Sequence, residues 1–112
     1  MSEATHTLIV DHWRLLRSLA RVGEQLPEAA ARRIAGQVRY QQGRLETVLA
    51  ALEIELITYE GRPFDGSIPP IAQNADEVRP GGGLIVIETL EPTLVSKGQV
   101  VHGGRVNIGQ EL

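Results

Sequence analysis

Residues 52–70 read LEIELITYEGRPFDGSIPP, and the reading of the fold turns on them. Upstream of Tyr59 the chain follows a helical rhythm of apolar residues. Downstream, Gly61, Pro63, Gly66, Pro69 and Pro70 forbid a continuing helix, because proline lacks the amide hydrogen and glycine frees the backbone. The same division runs through the whole chain of 112 residues: residues 1–59 hold three Gly and one Pro, residues 60–112 nine Gly and five Pro. A helical region over 1–59 is therefore expected to precede a small β domain over 60–112, an α+β arrangement.

Working back from Thr58, Ile34, Val38, Leu45, Leu49, Leu52 and Leu56 form a stripe whose later spacings are four, three and four, as in a coiled-coil seam. The reading predicts one helix from Pro27 to Thr58, about 32 residues and about 48 Å long. A preceding amphipathic helix of about residues 4–22 carries Leu8, Ile9, Trp13, Leu15, Leu16, Leu19, Ala20 and Val22, and Gly23 is read as its left-handed stop. A 48 Å stripe exceeds what a helix of about 19 residues can cover. A second copy of the chain would cover the rest, giving a homodimer whose two hairpins form a four-helix bundle; the alternative is that the β half covers it within one chain. Gly36 and Gly43, each costing about 1 kcal/mol in a helix interior, mark either close helix approach or bends.

Downstream of the turn-rich stretch, residues 84–91, 93–96, 99–102 and 105–109 read as short strands, with 97–98 and 103–104 as their turns. Asp65 before Gly66 is suited to bonding its own turn. Phe64, the sole Phe, is expected to anchor a small β core.

The chemistry of most enzyme classes finds no purchase here. There is no Cys, so neither disulfides, thiolate metal sites nor thiol nucleophiles exist. His6, His12 and His102 lack metal-ligand spacing. Ser67 or Ser96 with His102 and Asp65 would supply triad residue types, but no nucleophile elbow accompanies them. Gly81-Gly82-Gly83 leads toward a strand and lacks the helix and Lys-Ser/Thr pair of a phosphate loop, so it reads as a flexible turn. No enzyme activity and no cofactor is expected. The net charge of -3 argues against general affinity for nucleic acid or acidic membranes. Four aromatic residues provide no stacking platform for bases. No apolar run approaches the ~20 residues of a membrane span, and no basic-then-apolar leader opens the chain, which fits a cytoplasmic protein. Seven Arg between His12 and Leu45 face only Glu24 and Glu28, so Arg32, Arg33, Arg39 and Arg44 either meet an acidic protein partner or form a solvated helix face.

The helical stretch, LEIELITYEGRPFDGSIPP and the ending GQVVHGGRVNIG together resemble the GrpE family of nucleotide exchange factors for DnaK-type chaperones. The resemblance covers roughly residues 45–112 and is only architectural before that. It rests on Gly61, Phe64 and Asp65 at the entry to the β domain, and on Gly98, Gln99, His102, Val106 and Ile108 at its end. It implies a dimeric helical part and a β domain that contacts the chaperone's ATPase lobe and holds its nucleotide cleft open. Gln99, His102 and Arg105, with Arg32, Arg33 and Arg39, are then the expected partner-binding residues. Gly61, Phe64, Asp65 and Gly98 are the structural ones. The sequence departs from the family where Gln99 and His102 replace arginines and Pro69 replaces a histidine. Each lost arginine contact removes a charge-assisted hydrogen bond worth ~1.5–3 kcal/mol. An alternative expectation is therefore a homodimeric scaffold that keeps this fold and binds another protein.

Overall fold

A computed structural model describes residues 2–79 and 82–111. It is α+β and divides into two compact units, Met1–Glu53 and Ile54–Leu112.

The first unit is a hairpin of α1 (Glu3–Gly23) and α2 (Glu28–Leu52). Ser2 caps α1, its hydroxyl accepting from the Thr5 amide at 3.3 Å. Pro27 takes the N-cap position of α2, where extended backbone (ψ 151°) and the absence of an N–H are both suitable. Gly23 is helical and buried, and it is not the expected left-handed stop. A Cβ there would stand 2.9 Å from Ile34 Cγ2, so this glycine lets the two helices approach. Ile9 and Leu16 on α1, and Val38 and Leu45 on α2, each pair seven residues apart, are buried as well.

Two expectations about the helices are corrected. The second helix does not reach Thr58: it ends at Leu52, where Glu53 adopts a left-handed conformation (φ 57°) and its amide bonds back to Ala50 and Leu49 carbonyls. With 25 residues it is about 37 Å long, close to the roughly 32 Å of α1. The uncovered excess of stripe that called for a second copy is therefore gone. The apolar residues of α1 also split into two faces, with Ile9 and Leu16 buried and Leu8, Leu15, Leu19 and Val22 exposed. Gly36 and Gly43 have no atom within 4 Å of an added Cβ, so close approach within the chain does not explain them.

The second unit contains two three-stranded sheets. One has the order β1-β4-β5, from β1 (Ile54–Ile57), β4 (Thr93–Ser96) and β5 (Gln99–His102), all antiparallel. The other has the order β2-β6-β3, from β2 (Ile71–Ala72), β6 (Arg105–Gln110) and β3 (Leu84–Glu91). Here β3 runs antiparallel and β2 parallel to β6. The strands β3 to β6 meet the expectation, whereas β1 falls in the stretch expected to be helical and no strand is expected at β2. Leu56 belongs to β1, opposite Leu94. Residues 97–98 form the expected turn, with positive φ at both Lys97 (52°) and Gly98 (78°), as a two-residue hairpin requires. Gly103 and Gly104 do not turn a hairpin. They carry the chain from one sheet to the other.

Gly61 (φ 82°) donates to Val86 O, and Phe64 N–H to Leu84 O, so residues 61–64 run along the outer edge of β3. The core beneath is Tyr59, Val86, Val106 and Ile108. Phe64 is only half-buried at its margin, while Tyr59 is 2% exposed. The aromatic anchor of this unit is therefore Tyr59, whose hydroxyl offers what Phe cannot. That hydroxyl donates to Thr93 Oγ1 at 2.7 Å, and Thr93 donates onward to Gly103 O at 2.7 Å. Thr89 accepts from the Tyr59 amide and donates to Glu60. Buried hydroxyls thus tie both sheets and the connection at Gly103 into one network.

Of the glycine triplet, Gly81 lies outside the described residues. Gly82 has positive φ (77°), in keeping with a turn.

Candidate functional site

Three of the expected partner-binding residues lie on the terminal strands of the β unit. His102 ends β5 and Arg105 begins β6, and both turn to one carboxylate. His102 Nε2 lies 2.9 Å from Glu91 Oε1, and Arg105 Nε 3.8 Å from Glu91 Oε2. Glu91 sits at the end of β3, directly before the buried Pro92. This carboxylate, which sequence reasoning missed, joins the ends of strands from both sheets. Its only trace in the sequence is its place between a strand pattern and a proline.

The side chains at these strand ends differ in how far they open to solvent. The His102 ring is engaged inward and leaves 30% of its side chain exposed, whereas Arg105 retains 52%. Gln99 lies at the opposite end of β5, beside the Lys97–Gly98 turn, and is exposed. Between them stand Val100 (51% exposed) and Val101 (37%), which the sequence reading does not single out. Val95 pairs with Val100 and Leu94 with His102, so Val101 is an extra residue, a β-bulge. The bulge interrupts the alternation that would otherwise turn one of two successive valines inward.

At the entry to this unit, Asp65 Oδ1 accepts from the Ser67 amide at 3.0 Å. Hydrogen bonding from the Ser67 side chain, then from its backbone, holds the Asp65 carboxyl below the ordinary carboxylate range. Gly66 follows with φ 87°. Asp65 thus fixes its own turn, as its sequence context predicts.

Arg32, Arg33 and Arg39 lie on α2 in the helical unit. With Glu28 and Ala29 they line one shallow, open depression. Arg32 donates to Glu28 at 2.7 Å across one helical turn, an exposed pair of the kind worth ~0.3–0.5 kcal/mol. The three arginines form a basic surface with a single acidic neighbour in its lining.

Among the described residues, no three His, Asp or Glu side chains gather as a metal site, and no helix is long and apolar enough to cross a membrane. Ser67 and Asp65 are committed to one turn, and His102 to Glu91. No nucleophile, base and orienting acid are linked in a row by the hydrogen bonds of these residues. No protein-family model, curated protein or solved structure matches this chain.

Proposed function

We propose that this chain is a GrpE-like adaptor, a non-enzymatic homodimer that binds the ATPase domain of a DnaK-type chaperone and promotes nucleotide exchange in the cytoplasm. The observation that carries the reading is the exposed β5 hairpin: two outward valines flanked by Gln99 on one side and Arg105 on the other. An apolar centre with a polar rim suits a protein partner better than a small molecule. The resemblance at Gly61, Phe64, Asp65 and Gly98 supplies the partner class. Arg32, Arg33 and Arg39 offer a second, basic contact for an acidic face of the chaperone. In this reading the helical hairpins of two copies form a four-helix bundle, and the adaptor works by holding two parts of the ATPase apart, without making or breaking a bond.

A second reading is favoured by the inward commitment of His102. A position that carries arginine in GrpE proteins is here tied to Glu91, and Gln99 is neutral, so the charge normally offered to the chaperone is missing. The alternative is a homodimeric scaffold with the same fold and a different protein partner.

Stopped-flow release of a fluorescent nucleotide from a DnaK-type ATPase separates the two. Acceleration by the wild-type chain, increased by Gln99→Arg, supports the exchange factor. Failure of both proteins to accelerate release, with a chaperone from the same genome included, removes it in favour of the scaffold.

A further inference from the structure

The exposed apolar residues of α1 are not scattered. Leu8, Leu15, Leu19 and Val22 leave 68%, 56%, 39% and 58% of their surface open. With His12 between them they are spaced four, three, four and three, a heptad seam, and Leu26, also exposed, continues it past the helix end. None of these residues belongs to the buried face toward α2. Leu8, Leu15 and Val22 each stand one residue before a buried one, namely Ile9, Leu16 and Gly23. One residue is a rotation of ~100° about the helix. Thus α1 has two apolar faces roughly at right angles, one spent on α2 and one open. A helix in a four-helix bundle touches two neighbours in this manner, and a lone hairpin needs only one such face.

From the open face we infer that a second copy of this chain docks on the Leu8, His12, Leu15, Leu19, Val22 seam of α1. This rests on the homodimer proposed above and assigns its contact to α1, not to the long stripe of α2. The quantities favour a like partner. The four exposed side chains offer roughly 400 Å² of apolar surface, comparable with the largest apolar patch on a typical monomer, which is often functional. A standard interface covers ~800 Å² on each partner, a little over half of it apolar, so one seam supplies what one side requires. A two-fold contact places the same patch on both sides, which a seam of this kind meets by repetition alone. His12 is the imidazole within it, and a polar residue at such a position sets register at a cost in affinity.

The test is sedimentation equilibrium on the full chain, with helix content followed by circular dichroism. The wild type is expected at twice the chain mass at tens of micromolar. Leu15→Lys combined with Leu19→Lys should weaken association at least 100-fold, and His12→Leu should tighten it about tenfold. Tyr40→Lys, on an exposed face of α2, should leave it unchanged. A monomeric wild type overturns the inference, as does a dimer that survives the double lysine variant or is split by Tyr40→Lys. Should the lysine pair lose helix content, Leu8→Ala with Leu15→Ala replaces it, with weakening of at least tenfold expected and unaltered association overturning the inference. Nucleotide release is measured on the same proteins. Acceleration by a monomeric wild type would sink the docking face and keep the exchange function, whereas a seam-dependent dimer without acceleration would do the reverse.

Discussion

Among the buried side chains of the helical unit, the His6 Nε2 atom has no hydrogen-bond partner, and the remaining packing is aliphatic. In the β unit, by contrast, Thr89 and Thr93 are 1% and 0% exposed and each makes two or more hydrogen bonds. The helices satisfy their backbone internally and can rely on non-directional burial. The β unit has two small three-stranded sheets and joins them with directional bonds between buried hydroxyls. Substitutions of similar size should therefore cost very different amounts in the two units.

Among the largest expected effects is that of Gly104→Ala. The added Cβ would lie 2.6 Å from Glu91 O and 2.9 Å from Pro92 O, at φ 89°. Both obstacles are backbone atoms, so we expect a loss of ~3 kcal/mol or more and collapse of the β unit in urea denaturation. If Trp13 fluorescence, which reports on α1, shifts its midpoint equally, the two units unfold as one and the contrast between them is broken.

Next comes Tyr59→Ala, at ~3–5 kcal/mol, against Tyr59→Phe, at ~1–2 kcal/mol for the hydroxyl alone. Phe64→Ala should cost less than Tyr59→Ala, since its ring is only half-buried. Thermal melts of the three variants test that order; a greater loss from Phe64→Ala would return the anchor to Phe64.

A smaller effect, of opposite sign, is expected where the units meet in sequence. Glu53→Gly removes the cost of a left-handed non-glycine residue and should stabilise by about 1 kcal/mol. An unchanged or lower melting temperature would mean that Glu53 contributes something other than its backbone conformation.

The smallest effect concerns acid. Asp65 has its folded pKa lowered by its bonds to Ser67, so the unfolded chain binds the proton more readily. Its contribution is present above the ordinary carboxylate pKa and is lost as pH falls through the lowered folded value. Asp65→Asn should flatten the dependence of stability on pH in that acidic window, falling slightly below the parent at neutral pH and converging with it at low pH, as read from urea midpoints across the range.

The limits of sequence reading lie at particular residues. Periodicity located α1 and the four strands from β3 to β6, and the Asp65 turn and the Lys97–Gly98 turn followed from local chemistry. The end of α2 was ambiguous because Leu52 and Leu56 satisfy the four-residue helical interval while Ile54 and Leu56 satisfy strand alternation. The deciding term is pairing with β4, some forty residues away, and no glycine or asparagine signals the left-handed residue at Glu53. β2 is two residues long and is extended by a side chain: Asn74 donates to Ile108 O at 2.8 Å and accepts from its amide at 2.9 Å. Such a substitute for a ladder has no periodicity to detect. At the candidate site, Gln99, His102 and Arg105 could be chosen from the sequence, but the inward turn of His102 could not, because it depends on Glu91 from another sheet. The two faces of α1 were merged into one stripe for a related reason: apolar residues 100° apart belong to either face until a neighbour is placed.

The extra residue at Val101 also bears on solubility. β5 is the edge of its sheet, and a straight edge bearing two exposed valines would be a template on which further chains could add, strand upon strand, into fibrils. A bulge there breaks the regular spacing of amide and carbonyl groups that such growth copies. Deleting Val101 would straighten the edge, and the shortened protein should form thioflavin-positive aggregates under conditions in which the parent stays in solution.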